Sequence, residues 1–439
     1  MVISKKDFFA VQLPMLSVGG MACLLITIDM LLPFTSAYAD VVPAYFTYLA
    51  FFIFVYFFYA VLVIMFESSR PRMISGVEPL NSFMTKCMSV ACFLSVLGIC
   101  SLVVDRTIYQ GVDFFTQNFV EIRARLNADR APGSGVSSFF SVFGNLFQFT
   151  YFFAFVCLVF YREAIGSMRR KLYWFTILTL LFSGSYILGG RSIIGLFALT
   201  FVGVMVARVV TGRSDFWRLI KFRYLIFMLA STGAVLAAIA FVYYVRASVS
   251  NLSSSEYLLN FVDHLRGRAV MEYVPCVSGV ECDFINYAQL SGIYVVHIFW
   301  VFAELLESPV VNPQGSPVFG ASAVILSKVL GQFVGDYEFA GLFNSLPGSL
   351  YYQYGALGMM VGGLFIGCAL AYAVFSLRSS GGVFSLISFY AFFMVMLVAP
   401  VLSIMNMMVF VFLLFSMVAM GVVYLVGTSL TKRYLEANY

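Results

Sequence analysis

Long apolar runs alternate along the chain with short polar segments. The runs fall near residues 9–34, 42–66, 87–104, 139–161, 172–190, 192–210, 224–245, 353–377, 382–403 and 405–428. A helix of about 20 apolar residues spans the hydrocarbon core of a bilayer, and lipid cannot satisfy open backbone groups. None of the runs shows the ten-residue alternation of a membrane β-barrel. The pattern predicts an all-α, polytopic membrane protein, a helical bundle of about ten transmembrane helices.

Composition supports this class. The 439 residues are 62% hydrophobic and only 11% charged, whereas soluble domains are about half apolar and a quarter charged. A water-soluble fold of this size is therefore excluded. The net charge of +5 is modest and gives no indication of nucleic-acid binding.

The distribution of positive charge predicts the orientation. With the N-terminus in the cytoplasm, most of the 26 lysines and arginines fall in short inner segments, as the positive-inside rule requires. Both termini are then cytoplasmic. The first apolar run is too long for the h-region of a signal peptide, so we expect an uncleaved helix.

The chain divides into three parts on this reading. Residues 1–245 hold seven helices and an outer segment at 105–138, residues 246–352 form a long outer loop, and residues 353–439 hold three helices. Loops this long are usually functional. Two apolar stretches lie within the loop, 289–306 and 318–334. The first is interrupted by His297, Glu304 and Glu307, and the second by Lys328, Gly331 and Gly335. We expect interfacial or re-entrant helices there; if both cross the membrane, the count becomes twelve.

Almost all cations in the outer segments are arginines. The guanidinium group is a planar fork that binds phosphate or carboxylate bidentately and stays charged at any pH. An anionic ligand at the outer leaflet is therefore expected, although solvated loop charges and snorkelling side chains would look similar. The candidate ligand-binding residues are Arg123, Arg125, Arg191, Arg246, Arg266 and Arg268. Arg191 stands alone in a tight turn between two spans, where an isolated charge indicates function.

The densest polar cluster lies at residues 256–272. If this segment is one helix, Arg268 shares a face with His264 and Glu272. Asp263, His264 and Glu272 are then candidate general acids or bases beside an anion site. The alternative is an amphipathic surface helix held by its own ion pairs.

Two cysteines of the long loop, Cys276 and Cys282, are close enough in sequence to form a disulfide in an oxidising compartment or to remain free. They do not make a zinc site, and no metal-ligand spacing occurs elsewhere. Asn344 and Tyr351 belong to a Pro- and Gly-containing turn at the end of the loop, where tyrosine can anchor the interface or stack on a sugar ring.

The sequence contains neither a Walker motif nor a Gly-rich dinucleotide-binding fingerprint. Apart from Asp29, the spans carry almost no acidic residue, which disfavours an ion-coupled transporter.

The chain resembles the bacterial O-antigen (oligosaccharide repeat unit) polymerases, the Wzy family. The resemblance covers the architecture of nearly the whole chain. Locally it rests on Gly189-Gly190-Arg191-Ser192 and on the segment from Asn344 through Pro347-Gly348, Leu350-Tyr351 and Tyr354-Gly355 to Gly358. The two histidines, His264 and His297, lie well upstream of Asn344, which favours a polymerase over the related O-antigen ligases.

This resemblance implies a glycosyltransferase of lipopolysaccharide biosynthesis in the bacterial inner membrane, with its long loop in the periplasm. A growing polysaccharide on undecaprenyl pyrophosphate would be transferred to a new lipid-linked repeat unit, without a cofactor. The expected partners are this lipid-linked oligosaccharide, membrane lipids and a chain-length regulator protein. An O-antigen ligase and a flippase for the lipid-linked oligosaccharide are the alternatives.

Overall fold

A computed structural model describes residues 5–68, 82–114, 139–188, 192–214, 240, 243–244, 246–248, 250–270, 273–277, 279–307, 318 and 345–437. Its elements, numbered in chain order, are α1 (Lys5–Leu31), β1 (Phe34–Ser36), α2 (Val42–Ser68), α3 (Ser82–Val104), α4 (Phe139–Phe147), α5 (Tyr151–Phe160), α6 (Ser167–Ile187), α7 (Ser192–Val210), α8 (Ser254–His264), β2 (Gly267–Ala269), α9 (Val280–Val296), α10 (Ile298–Glu307), α11 (Leu346–Ser380), α12 (Val383–Val398) and α13 (Met408–Ala437).

Seven helical segments of the described residues are long and apolar enough to cross a membrane. They are α1, α2, α3, the α4–α5 pair, α7, α11 and α13. The pair α9 and α10 is bent by 41° and forms either an eighth, broken span or a re-entrant loop. These findings agree with the predicted helical multi-pass membrane protein. Two predicted spans are not among the seven: α6, and α12 with only 16 residues. The predicted span at 224–245 lies almost wholly outside the described residues.

Helix α2 shows why the outer surface suits lipid. One face buries Tyr48, Val55 and Tyr59. The opposite face exposes Phe46 and Ile53, at 71% and 67% of their surface. A helix that is apolar on its exposed face as well as its buried face is typical of a membrane span.

The chain forms two compact units. Unit 1 comprises Met1–Met65, Ser214–Ala371 and Val395–Asn406, and unit 2 comprises Phe66–Arg213, Tyr372–Met394 and Met407–Tyr439. Both units take part of α2 and of α11.

In unit 1, glycines bring α11 against α2. A Cβ atom at Gly363 would lie 2.6 Å from the Phe51 ring, and one at Gly367 would lie 3.0 Å from Val55. Small residues four positions apart allow close helix packing in membranes.

In unit 2, the fully buried α5 is preceded by a break at residues 148–150. Open backbone groups at such a break need partners within the membrane. Ser95 of α3 supplies one, because its Oγ accepts the Tyr151 N–H at 2.8 Å. The Thr150 hydroxyl donates to the Ala91 carbonyl at 2.7 Å.

Candidate functional site

A two-stranded antiparallel ribbon, β1 and β2, organises the predicted outer end of unit 1. Its register pairs Phe34 with Ala269, Thr35 with Arg268 and Ser36 with Gly267. Backbone pairing fixes the position of Arg268, whose side chain is exposed. The ribbon therefore holds a candidate anion-binding arginine on a rigid element.

The helix predicted over 256–272 is shorter than expected. Helix α8 begins with a capping box, in which Ser253 and Glu256 exchange hydrogen bonds, and it ends at His264. Arg266 adopts a left-handed conformation with φ of 64°, which ends the helix. The prediction that Arg268 shares a helical face with His264 is therefore wrong.

The next residue, Gly267, occupies a position where a larger side chain would not fit. A Cβ atom at this position would lie 2.2 Å from the ring of Trp300. The strand thus rests directly on the indole, and this contact, which is remote in sequence, directs the chain into the ribbon rather than into another helical turn.

One face of α10 supports the ribbon. Trp300 packs under Gly267, Glu304 forms an ion pair with Arg266, and the Glu307 carboxylate accepts the Asp40 N–H at 3.2 Å. The spacing of three and four residues puts these side chains on one face of the helix. The charged residues that interrupt the apolar stretch 289–306 are therefore contacts of the ribbon and of the loop that follows it.

Asp29 connects this assembly to the first two helices. Its carboxylate accepts hydrogen bonds from the Tyr45 hydroxyl at 2.5 Å and from Trp300 Nε1 at 3.2 Å. Asp29 is buried, with 4% of its surface exposed, and a buried polar group needs such partners. The base of the ribbon is thereby fixed to α1 and α2.

A polar pocket of about 430 Å³ lies beside the ribbon. It is lined by Thr35, Ser36, Ala37, Tyr38, Ala39, Asp40, Val41, Arg268 and Glu307. Within the described part of the chain, Arg268 makes no ion pair, whereas its neighbour Arg266 is neutralised by Glu304. The pocket therefore combines a guanidinium group available to a ligand with two carboxylates.

Asp40 and Glu307 differ in how they are held. Asp40 Oδ1 accepts the Val42 N–H at 3.0 Å and caps the start of α2. Glu307 is exposed and uses Oε1 for the Asp40 N–H, which leaves its other oxygen for a ligand. Glu307 is the better placed proton acceptor of the two.

The ribbon also packs against the loop that follows it. The Phe34 ring meets the Tyr273 ring edge-on at 4.8 Å, and the Tyr273 hydroxyl donates to Gln289 at 2.5 Å. Burial raises the pKa of Tyr273 above its ordinary value of 10.0, so this phenol stays a neutral donor at physiological pH.

A disulfide joins Cys276 and Cys282, the pairing that the sequence left open. Asn286 lies one turn beyond Cys282 and donates to the Cys276 carbonyl at 2.9 Å. The disulfide and this hydrogen bond tie the loop after the ribbon to the first turns of α9.

The other predicted site residues are dispersed. Asp263 and His264 are exposed on α8 and do not line the pocket. Arg246 is half-buried, and Tyr351 meets the Phe302 ring edge-on at 6.0 Å. The remaining predicted residues lie outside the described part of the chain: Arg123, Arg125, Arg191, Glu272 and Asn344.

A second group of arginines lies in unit 2, at helix ends predicted to be cytoplasmic. The Arg208 side chain is fully buried and donates to the carbonyls of Val159 and Phe160 at 3.1 and 2.7 Å and to Glu163. Arg378 pairs with Glu67 at 2.9 Å. Burial raises the pKa of Glu163, but hydrogen bonds from Arg208 and Arg162 outweigh this effect and lower it to about 2. These contacts join helix ends and serve the fold.

Sequence reasoning missed Asp40, Trp300, Glu304 and Glu307 as members of one site. A signal was present, since Trp300, Glu304 and Glu307 recur at helical spacing in an otherwise apolar stretch. Among the described residues, no group of three or more His, Cys, Asp and Glu side chains could hold a metal ion. Comparison with protein-family models, with curated proteins and with solved structures found no match.

Proposed function

We propose that this protein is a glycosyltransferase of the bacterial inner membrane that polymerises undecaprenyl-pyrophosphate-linked oligosaccharide repeat units into O-antigen-type polysaccharide. In this proposal about ten helices cross the membrane, both termini are cytoplasmic, and the ribbon pocket opens to the periplasm. The observation that supports it is the pocket itself, where Arg268 forms no ion pair among the described residues and lines the same cavity as Glu307.

The proposed reaction needs a binding group for the departing pyrophosphate and a base for the acceptor. The guanidinium of Arg268 binds the donor pyrophosphate and stabilises the negative charge that grows on it. Glu307 takes the proton from the acceptor hydroxyl as that oxygen bonds to the anomeric carbon. The bond from the anomeric carbon to phosphate breaks, and undecaprenyl pyrophosphate leaves. Tyr38 and Thr35 line the same pocket and offer contacts to the sugar.

The test uses the purified full chain with lipid-linked repeat units and follows chain length on a gel. Arg268→Ala should lower the polymerisation rate by about 100-fold or more, the usual effect of removing a group that stabilises transition-state charge. Arg268→Lys should retain part of the rate because it keeps the charge but loses the bidentate fork. Glu307→Gln should reduce the rate without preventing donor binding.

Glu281→Gln is the matched control, since Glu281 is another exposed carboxylate at the start of α9 and is not part of the pocket. Wild-type rates in both Arg268 variants would refute the site. Chain growth by the wild-type protein without lipid A supports a polymerase. Transfer only after lipid A is added identifies a ligase, and movement of the lipid-linked unit across vesicles without bond formation identifies a flippase.

A further inference from the structure

The N-terminal end of α6 concentrates positive charge where a helix disfavours it. Arg169, Arg170 and Lys171 fall within its first turns, beside the partial positive charge of the helix dipole. No acidic residue lies in the first turn, and Gly166 gives no side-chain cap. Three cations at this position repel one another, and an external anion bound beside them would offset this repulsion.

A second helix adds to this charge. The Tyr173 hydroxyl of α6 donates to the Thr85 carbonyl at 3.0 Å and lies 2.8 Å from the Ser89 hydroxyl. These contacts hold the first turn of α3 beside the first turns of α6. Lys86 follows Thr85 and is exposed, so it joins the same surface.

The 3₁₀ turn before α6 contributes Arg162, whose side chain is 43% exposed. We call Lys86, Arg162, Arg169, Arg170 and Lys171 the basic end of unit 2. Its nearby carboxylate, Glu163, is already held by Arg208 and Arg162. Among the residues that the structure describes, Lys86, Arg169, Arg170 and Lys171 form no ion pair.

An exposed apolar stripe begins at the basic end and runs along α6. Met168, Leu172, Phe175 and Phe182 expose 81%, 64%, 72% and 62% of their surfaces. Their spacing puts them on one face of the helix. A face of this kind fits acyl chains, and the cations at its end fit phosphate.

We propose that the basic end is a binding site for anionic phospholipid of the cytoplasmic leaflet. The lipid phosphates lie against Arg169, Arg170, Lys171 and Lys86, while the acyl chains follow the stripe from Met168 to Phe182. Basic surfaces between membrane helices commonly bind anionic head groups. The proposal does not depend on the glycosyltransferase reaction, because its residues lie in unit 2 and the ribbon pocket lies in unit 1.

The test uses the full chain in neutral detergent and counts bound lipids by native mass spectrometry. Phosphatidylglycerol is compared with phosphatidylcholine of the same acyl chains. The wild-type protein should retain phosphatidylglycerol more tightly, and raising the salt concentration should weaken that retention. Equal affinity for the two lipids, or no effect of salt, would overturn the proposal without any variant.

Variants then locate the site. In Arg169→Gln/Arg170→Gln the apparent affinity for phosphatidylglycerol should fall about fivefold for each neutralised cation, with phosphatidylcholine binding unchanged. Arg169→Lys/Arg170→Lys is the matched control, which keeps the charge and should keep the affinity within about twofold. If the Gln variant melts normally and binds phosphatidylglycerol as the wild type does, this surface is not the site. If it does not fold, Lys171→Gln alone gives the same test with a single fivefold change.

Discussion

Two arginines of this protein show opposite relations to their surroundings. Arg208 in unit 2 is fully buried and donates to three carbonyls and a carboxylate. Arg268 in unit 1 is exposed beside a polar pocket and makes no ion pair in the described part of the chain. The first arginine has its donors satisfied within the protein, so it stabilises helix ends. The second has its donors open to the pocket. Partners, rather than residue type, separate a structural arginine from a binding one.

The same contrast holds between Arg266, which directly precedes β2, and Arg268, which lies within it. Arg266 pairs with Glu304, whereas Arg268 lines the pocket. Both were equal candidates in the sequence, because the left-handed conformation of Arg266 and the strand that begins at Gly267 have no local signal. The end of α8 and the start of β2 separate their roles.

Removing Arg208 should have the largest effect on stability. Arg208→Ala leaves the Val159 and Phe160 carbonyls without these donors and should lower the free energy of unfolding by about 3 kcal/mol, because hydrogen bonds from a buried charged group are lost. Thermal unfolding in neutral detergent measures this. Arg268→Ala should change stability by less than about 0.5 kcal/mol. If the two variants are equally destabilised, the contrast between the arginines fails.

Filling the space at Gly267 should come next. Gly267→Ala puts a Cβ atom into the Trp300 ring, and overpacking of this kind costs about 2 kcal/mol. We also expect loss of polymerisation, because the displaced strand carries Arg268. The control is Gly20→Ala, where a Cβ atom meets nothing within 4 Å. Wild-type melting of Gly267→Ala would mean that the ribbon is not rigid enough to preorganise the pocket.

Acid should produce the smallest effect, which we examine at Glu163 of unit 2. The pKa of Glu163 is about 2 in the folded protein against an ordinary 4.5. Its stabilising contribution is therefore complete above pH 4.5 and is lost as the pH falls towards 2. We expect about 1 kcal/mol, since the carboxylate is more than half exposed and solvent screens the pair. Glu163→Gln should remove this pH dependence in unfolding measurements between pH 5 and 2.5; an unchanged profile would contradict it.

The sequence was sufficient to predict the long apolar helices but not the site. The length of their apolar runs predicted α2 and α11, because a segment that crosses the membrane must satisfy its backbone hydrogen bonds internally and therefore forms a helix. The ribbon was not predicted, for two reasons. A strand of three residues is too short to show an alternating pattern of apolar and polar positions, and β1 and β2 are far apart in the sequence. The end of α8 escaped for a related reason. Its start is visible in Ser253 and Glu256, but its end depends on Trp300 meeting Gly267.

The charged positions of α10 lie between these cases. Glu304 and Glu307 were recognised as interruptions of an apolar stretch, and their partners Arg266 and Asp40 were also visible as charges. No local rule joins them, because hydrogen bonds between distant segments depend on the packing of several helices. The count of ten membrane spans stays a prediction. The described helices support seven spans, or eight if α9 and α10 form one broken span.

Strand pairing across the chain also sets an order on biosynthesis. β1 is synthesised roughly 230 residues before β2, which at about 5–20 residues per second is an interval of roughly ten to fifty seconds. During this interval Asp29 lacks its hydrogen bond from Trp300, because Trp300 is synthesised after β2. The first two helices must hold their place in the membrane through their own hydropathy and the contact between Asp29 and Tyr45. A ribosome that stalls before Glu307 would leave an inserted protein with no pocket, so the newborn chain gains its proposed activity only late in translation.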